Sequence, residues 1–191
     1  MKKVLLLLAE GFEVFEASVF IDVIGWNLVH GDGSTQLFTC GLRKEIKSSF
    51  DQKFIVDYLV SEIESSDFDA LAIPGGFKLY GYYNDAYNDT FLELIRRFRA
   101  DDKVIASICV GALPLGKSGV LKGKKATTYA SANSRDALKE FGANVINQSI
   151  VMDDQIISSW NPSTAMSVAL LLLEILTSTE NAGDVRKLMG F

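Results

Sequence analysis

The residue best suited to nucleophilic chemistry is Cys109, in the stretch "SICVGALPLGKSG" that begins at Ser107. Small residues, Ser107 and Gly111, stand two positions before it and two positions after it. A strand that turns sharply into a helix brings these two backbone positions together, and the residue at the apex projects outward in strained geometry. The pattern predicts a nucleophile elbow with cysteine in place of serine. The alternative is a buried small hydrophobe, the commonest fate of a free cysteine.

The predicted elbow also sets an expectation for the thiol pKa of Cys109. The positive end of the following helix favours a thiolate by up to ~2 kcal/mol, or about one and a half pKa units. Starting from an ordinary value of about 8.5, that shift leaves the thiol substantially ionised at neutral pH. The other cysteine, Cys40, has no such neighbours and is predicted to be an inert core residue. Pro114 belongs in the first turn of the helix, which limits where that helix begins.

A nucleophile of this kind needs backbone donors for the oxyanion of its substrate. The segment "AIPGGF" ends another apolar run, and Gly75 and Gly76 permit a loop whose N–H groups point at a ligand. At the carboxyl edge of an open parallel sheet, such a loop lies where ligands bind. Together with the N–H of Val110, these glycines are the predicted oxyanion donors, although Pro-Gly-Gly alone is an ordinary turn.

Two glutamates follow the first apolar run in the segment "AEGFEVFE". Glu13 and Glu16 fall in the first turn of a predicted helix, where glutamate is favourable in any protein. An ionised carboxylate beside Cys109 would raise the thiol pKa. A useful glutamate there must therefore be protonated and donate a hydrogen bond to the thiolate. Glu16 is the candidate for this role, and the alternative is a glutamate that only stabilises the helix N-terminus.

Continuous apolar runs alternate with longer segments of helical period, which is typical of a parallel sheet covered on both faces. The predicted strands are Lys3–Ala9, Gln36–Cys40, Ala70–Ile73, Lys103–Ile108 and Gln155–Ser159. The predicted helices are Val14–Val29, the amphipathic Asp89–Ala100, and a last helix that Pro162 opens and that reaches Leu176. The segment "KSSFDQKFIVD" predicts a short hairpin. No repeat or linker marks a second domain, so residues 1–191 are predicted to form one α/β domain.

Composition excludes several classes of function. The chain has 191 residues and a formal net charge of −5, which argues against a nucleic-acid surface. The apolar run in "MKKVLLLLAEGFE" is shorter than a signal-peptide core, and "AMSVALLLLEIL" is too short to cross a bilayer. Two cysteines without a CxxC pair or nearby histidines predict neither a disulfide framework nor a zinc site. We expect a cytoplasmic protein with reduced thiols, no metal, no cofactor, and no nucleic-acid or membrane partner.

The motifs together, in this order, resemble the ThiJ/PfpI superfamily, a class I glutamine amidotransferase-like group that includes the Parkinson-disease-associated protein deglycase. The resemblance covers essentially the whole chain and rests on "EGFEVFE", "DALAIPGG", "VIASICVGA", "KKATTYASA" and "IISSWNPSTAMSVALLLLEIL". It implies a flavodoxin-like three-layer α/β/α sandwich, usually dimeric, with the elbow cysteine hydrogen-bonded to a protonated glutamate. By position, Cys109 matches that cysteine, Glu16 its partner, and Gly75 and Gly76 the glycines on the oxyanion side.

The chain departs from the superfamily pattern at one position. Many catalytic members carry a histidine in a "TTH" segment, and here "ATTYAS" places Tyr129 there. The only histidine, His30, is predicted to end the first helix, where it favours the helix dipole. Tyr129 is a poor base at neutral pH, because an unperturbed tyrosine pKa is near 10. Related isocyanide hydratases act without that histidine, but they carry aspartate where this chain has Glu16.

Aromatic residues follow the two glycines in "FKLYGYYNDAY", and another aromatic residue ends a later strand. They predict either an aromatic cap on the domain or a dimer interface, or else a small, partly apolar ligand pocket. The candidate pocket residues are Phe77, Tyr80, Tyr129 and Trp160.

Two functions from different classes remain open at this point. In the first, the chain is a cysteine-dependent hydrolase, hydratase or lyase that uses Cys109 and Glu16 to act on a small electrophilic metabolite. In the second, a non-catalytic stress sensor or chaperone-like protein has its Cys109 oxidised to sulfinic acid. A cysteine protease is the weaker reading, because it requires a histidine near the elbow. The expected partners are a small-molecule substrate or oxidant and a second copy of the chain in a homodimer.

Overall fold

The computed structural model describes every residue from Met1 to Phe191. Its eleven strands are β1 (Lys2–Leu8), β2 (Thr35–Gly41), β3 (Glu45–Lys47), β4 (Lys53–Ile55), β5 (Tyr58–Leu59), β6 (Ala70–Ile73), β7 (Val104–Ser107), β8 (Lys125–Ala126), β9 (Asn144–Val145), β10 (Ile150–Asp153) and β11 (Ile156–Ser159). Its seven α-helices are α1 (Val14–His30), α2 (Tyr82–Ala86), α3 (Asp89–Ala100), α4 (Ala112–Ser118), α5 (Ala132–Glu140), α6 (Ala165–Leu176) and α7 (Thr179–Leu188).

Seven of the strands form the central sheet, in the order β10-β11-β7-β6-β1-β2-β5. All neighbouring pairs are parallel except β10 and β11, which form an antiparallel edge. Every residue of β6, β7 and β11 is buried, as are the last five residues of β1. Strands that are covered on both faces have sequences that are continuous apolar runs, which is why the sequence predicted them. The predicted α/β fold with a mainly parallel sheet is confirmed.

The helices form two groups around the sheet. Helices α1, α6 and α7 contact one another, and α3 and α5 each contact α4. The amphipathic α3 buries Phe91, Leu92, Ile95 and Phe98, as predicted. Of the three arginines predicted to face outward, Arg96 is exposed, whereas Arg97 and Arg99 are half-buried. No helix of the chain is both long enough and apolar enough to cross a membrane.

Most local predictions agree with the observed elements. The predicted hairpin is the antiparallel pair β3 and β4. Pro162 opens a single 3₁₀ turn, Pro162–Thr164, that leads directly into α6, and Pro114 lies in the first turn of α4. Helices α5 and α7 were not predicted, because their sequences are largely polar. The edge strand β10 was not predicted either, although its four residues, IVMD, are mostly apolar.

The parallel strands β1, β6 and β7 are neighbours in the sheet, so their carboxyl ends reach the same edge. The segments that follow these three strands are the glutamate segment, the Gly75–Gly76 loop and the Cys109 turn. The fold therefore brings together three candidate segments that are far apart along the chain.

Candidate functional site

Cys109 lies at a sharp turn between β7 and α4. The N–H of Ile108 still donates to the carbonyl of Ile73 on β6, over 3.1 Å, and a 3₁₀ turn, Cys109–Gly111, follows. The φ angle of Cys109 is +58°, in the left-handed region that non-glycine residues rarely adopt. A strained residue of this kind persists only where its surroundings fix it.

The neighbours of Cys109 fix the turn from several sides. A Cβ on Gly111 would lie only 2.6 Å from the carbonyl oxygen of Ile73, so a larger residue does not fit there. Ser107 is fully buried, and its hydroxyl donates to the carbonyl of Ile157 over 3.2 Å. The hydroxyl of Thr128 donates to the carbonyl of Cys109 itself, over 3.0 Å. Gly111 thus has the steric role that the sequence pattern suggested, and Ser107 is held in place by its hydrogen bond.

Glu16 lies in the first turn of α1, is fully buried, and points toward this turn. Its Oε2 accepts a hydrogen bond of 2.6 Å from the N–H of Gly75. A Cβ on Gly75 would lie 2.8 Å from that oxygen and 3.0 Å from the Cβ of Cys109. Glu16, Gly75 and Cys109 therefore meet at one point, and only glycine fits between the two side chains.

The carboxyl of Glu16 is neutral at pH 7. Burial raises its pKa to about 8, with help from the negative charge of Glu13 and against the hydrogen bond from Gly75 and the interaction with the thiol of Cys109. Burial also raises the pKa of Glu13 itself. Glu16 Oε1 is buried and has no hydrogen-bond partner of good geometry.

The expectation of a low thiol pKa at Cys109 is wrong. The side chain is only 7% exposed, and this burial, followed by the charge of Glu16 when ionised, raises the thiol pKa above its ordinary value. The N–H of Val110 acts in the opposite direction by donating to the sulfur. Helix α4 begins only at Ala112 and has seven residues, so its dipole does not outweigh the loss of water.

A pocket of about 300 Å³ opens on Cys109. Besides Cys109, four of the predicted site residues line it, namely Gly76, Phe77, Val110 and Tyr129. Glu13, Lys78, Tyr83 and Pro162 complete the wall. Lys78 was not recognised from the sequence, because an isolated lysine after a turn carries no distinguishing signal. The sequence placed Tyr83 among aromatic residues near the pocket but did not single it out.

The glycine loop supplies fewer free donors than the sequence suggested. The N–H of Gly75 is directed at Glu16 rather than at the pocket. The N–H of Gly76 has no protein acceptor and belongs to a residue that lines the pocket. The hydroxyl of the fully buried Tyr82 donates to the carbonyl of Pro74 over 2.8 Å and so anchors this loop. Gly76 therefore keeps an unpaired N–H at the pocket, Val110 donates to the thiol, and Gly75 orients the glutamate.

Two predicted pocket residues lie outside the pocket wall. Tyr80 packs on Phe50 and Phe77, with ring centroids 5.7 and 6.5 Å apart, because the left-handed Gly81 turns the chain after it. Trp160 instead packs under the guanidinium of Arg135, which lies 5.7 Å from its ring centroid.

The remaining candidates lie far from Cys109. His30 ends α1, as predicted, at the opposite end of that helix from Glu16, and its ring contacts Trp26. Cys40 is fully buried within β2. No group of three or more histidine, cysteine, aspartate or glutamate side chains is arranged to hold a metal ion.

An ion-pair cluster that the sequence did not reveal connects segments at the carboxyl edge of the sheet. The guanidinium of Arg43 donates to both carboxylate oxygens of the buried Asp85, over 2.8 and 2.7 Å, and to Glu10. Asp85 also accepts from the backbone N–H of Glu10 over 2.9 Å. The cluster thus links the segment after β1, the segment after β2 and helix α2. Its members are spread over 75 positions of the chain, and no local pattern connects them.

The chain belongs to the DJ-1/PfpI family, whose model matches residues 2–175. It is 31% identical over 185 residues to Protein DJ-1 homolog B of Arabidopsis thaliana, which covers 96% of this chain but only 40% of that relative. The chain therefore spans less than half the length of that protein. It is also 31% identical over 160 residues to Deglycase TK1284 of Thermococcus kodakarensis, covering 84% of this chain and 90% of the relative.

The comparison with solved structures gives the same assignment. The crystal structure of Drosophila melanogaster DJ-1beta superimposes with a TM-score of 0.85 at 27% identity, covering 98% of this chain and 97% of that one. The same protein is 30% identical in sequence over 190 residues. The flavodoxin-like fold implied by the sequence motifs is thereby confirmed.

Proposed function

We propose that this chain is a cytoplasmic enzyme in which Cys109 attacks a small electrophile, as a hydrolase, hydratase or lyase. The observation that carries the proposal is the neutral carboxyl of Glu16 in contact with the thiol, at the base of a pocket. A neutral acid beside a nucleophile donates a proton to the oxygen that develops charge during attack. A relative named as a deglycase, 31% identical to this chain, supports a carbonyl substrate.

The hydrogen bond from Gly75 determines which carboxyl oxygen of Glu16 is acidic. Oε2 accepts the N–H of Gly75, so the proton resides on Oε1, which has no other protein partner. The sulfur of Cys109, which interacts with this carboxyl, can accept that proton. Glycine at position 75 therefore has a chemical role, because it orients the acid.

Attack on a carbonyl can then proceed without a histidine. The sulfur of Cys109 forms a bond to the carbonyl carbon, and the C=O π electrons move to the oxygen. Glu16 gives its proton to that oxygen and takes the proton that leaves the thiol, so the carboxyl ends the step neutral. The N–H groups of Gly76 and Val110 adjoin the thiol and are the candidate donors to the oxyanion. The product is a hemithioacetal on Cys109.

The test is turnover of a panel of aldehydes, amides and isocyanides by the wild type and by Cys109→Ser. We expect at least one aldehyde to be consumed by the wild type and its rate to fall to background in the variant. Cys40→Ala is the matched control, since it removes the other thiol and should retain the activity. Equal rates in wild type and Cys109→Ser would contradict the proposal.

A second candidate function, a redox sensor, is supported by the side chains that line the pocket with the thiol of Cys109. The titratable side chains that line the pocket with Cys109 are Glu13, Lys78, Tyr83 and Tyr129, with no histidine among them. Without a strong base, the same pair suits a redox sensor, since a neutral Glu16 can donate a hydrogen bond to a sulfinate on Cys109. Each of two peroxide molecules would transfer one oxygen to the sulfur and leave as water.

Mass spectrometry after mild peroxide treatment tests this alternative. We expect a product with two added oxygens on the peptide that contains Cys109, and a slower reaction in Glu16→Leu, which has no acid to donate. Oxidation spread evenly over Cys40 and Cys109 would contradict it. Turnover of a substrate together with selective oxidation would mean that one site serves both functions.

We further propose that the chain forms a homodimer. Helix α1 exposes large apolar side chains that include Phe15, Ile21, Trp26 and Val29. Apolar side chains along one helix are typical of a protein interface. Sedimentation of the wild type and of Trp26→Glu tests this, and a wild type that remains monomeric at high concentration would contradict it.

A further inference from the structure

Beside the pocket that opens on Cys109 lies a second, larger and more open depression of about 560 Å³, called here the second cavity. Lys78, Tyr83 and Tyr129 line both spaces, and their shared border is called here the neck. Sites of several hundred Å³ accommodate ligands of ten or more heavy atoms. The combined space is therefore much larger than a three-carbon carbonyl compound requires.

The neck is lined by two tyrosine rings. Tyr83 is half-buried, and its ring is held between those of Tyr82 and Tyr87, with centroids 5.3 and 4.9 Å away. Burial raises the pKa of Tyr83, so its phenol is neutral. Tyr129 is 44% exposed and borders both cavities. Aromatic faces favour a planar apolar group that stacks or packs edge-on against them.

The second cavity suits a substituent without charge. Beyond the neck it is lined by Tyr87, Leu113, Ser131, Asn133, Ser134 and Ala137. None of these six residues is acidic or basic, and Lys78 at the neck is the only charged residue in the lining of the second cavity. A group that enters this cavity therefore contacts aromatic rings, aliphatic carbon and neutral polar atoms.

We infer that the second cavity is a subsite for a planar aryl substituent of the electrophile that reacts with Cys109. This inference rests on the proposed function, because it requires a reactive Cys109, and it adds the substrate class. The electrophilic carbon lies at the thiol, and the aryl group passes between Tyr83 and Tyr129. Small aliphatic carbonyl compounds leave this subsite empty and gain nothing from it.

Two alkylating reagents that differ only by an aryl group test the inference. Iodoacetamide and N-phenyliodoacetamide react by the same step: the sulfur of Cys109 bonds to the methylene carbon, iodide leaves with the electron pair, and the thiol proton passes to buffer. The rate ratio of the two reagents at Cys109, measured by peptide mass spectrometry, is divided by their ratio with N-acetylcysteine. This correction removes the intrinsic reactivity of the reagents.

We expect a corrected ratio of roughly ten in favour of the aryl reagent in the wild type. Tyr129→Ala removes one ring of the neck, and Asn133→Trp fills the second cavity from an exposed position. Each should lower the corrected ratio by about threefold or more. Tyr58→Ala, a tyrosine exposed to a similar degree that lines neither cavity, is the matched control and should keep the wild-type ratio.

The outcomes separate the subsite from the proposed function. A Cys109 that reacts with both reagents at the N-acetylcysteine ratio, unchanged in Tyr129→Ala and Asn133→Trp, overturns the subsite and leaves the reactive cysteine standing. A Cys109 that reacts with neither reagent faster than the buried Cys40 overturns both. Loss of the aryl preference in Tyr58→Ala as well would overturn the assignment of the subsite to the second cavity.

Discussion

The two cysteines of this chain occupy contrasting places in the same sheet. Both are free and buried, with exposures of 0% for Cys40 and 7% for Cys109. Cys40 lies inside strand β2, flanked by Leu7 of β1 and Tyr58 of β5 in parallel pairing. Cys109 lies beyond the end of β7, at a left-handed turn that opens on a pocket.

Thiol acidity does not distinguish the two cysteines. Burial raises the pKa of both, and a nearby carboxylate adds to the rise in each, from Asp57 at Cys40 and from Glu16 at Cys109. The two cysteines differ instead in their surroundings. Cys109 opens on a cavity and has a neighbouring carboxyl, that of Glu16, that becomes neutral, and Cys40 has neither. A thiol past the carboxyl end of a strand can meet a substrate, whereas a thiol within the strand cannot. Position on the sheet, more than burial, sets the expected reactivity here.

The largest effect should come from removing the accessible thiol. Cys109→Ser should lower alkylation by iodoacetamide at least about a hundredfold, because a hydroxyl is a far weaker nucleophile than a thiol. Cys40→Ala should leave the alkylation rate at Cys109 within about twofold. Mass spectrometry of the labelled peptides measures both, and preferential labelling of Cys40 in the wild type would reverse the comparison.

The next effect concerns the turn that exposes Cys109. Gly111→Ala places a Cβ 2.6 Å from the carbonyl oxygen of Ile73 and should lower the free energy of unfolding by about 2 kcal/mol or more. Gly25→Ala, in α1 with no atom within 4 Å of the added Cβ, should raise it by about 0.5–1 kcal/mol. Urea denaturation measures both. Equal stability of the two variants would mean that the turn does not depend on close approach.

A pH-dependent effect, smaller per pH unit than the loss expected in Gly111→Ala, should follow from the neutral state of Glu16. Its folded pKa of about 8 exceeds the unfolded value near 4.5, so between these values the unfolded state binds fewer protons than the folded state. Stability from this group is complete below about pH 4.5 and falls as pH rises toward 8, by roughly 1 kcal/mol per pH unit. Glu16→Gln lacks this dependence, so its stability relative to wild type should rise over that range. A constant difference between pH 5 and 8 would show that Glu16 is ionised.

The smallest effect should come from Tyr129→Phe. If Tyr129 only lines the pocket, loss of its hydroxyl should change the turnover of a reactive aldehyde by less than about threefold. General base catalysis is typically worth about a hundredfold or more, so a loss of that size would identify Tyr129 as the base. Steady-state kinetics of the purified variant decides between these outcomes.

The sequence contained most of what positions the thiol. The buried strands are continuous apolar runs. The small residues that the tight turn at Cys109 requires lie within two positions of it, so they are visible in the sequence. Glu16 and Gly75 were singled out from the segments that follow two apolar runs, the family motifs match both, and the fold brings them to the same point. The low thiol pKa was predicted wrongly, because the sequence indicates a helix start but does not give the depth of burial.

What the sequence missed depends on contacts between distant segments. Lys78 joins the pocket wall only once the loop after β6 has folded over the Cys109 turn. The pairing of Arg43 with Asp85 connects segments 42 positions apart and has no periodic signature. Tyr80 and Trp160 have the composition of pocket residues, but neighbouring rings and a guanidinium hold them elsewhere.

The rate of Cys109 alkylation from pH 5 to 10, in wild type and in Glu16→Gln, tests the central pairing most directly. In wild type the rate should rise less steeply than a one-proton curve above pH 8, because Glu16 ionises there and its charge opposes the thiolate. Glu16→Gln should follow a single one-proton curve. Identical one-proton curves in both proteins, with an unperturbed thiol pKa near 8.5, would contradict the account and leave Cys109 without a partner.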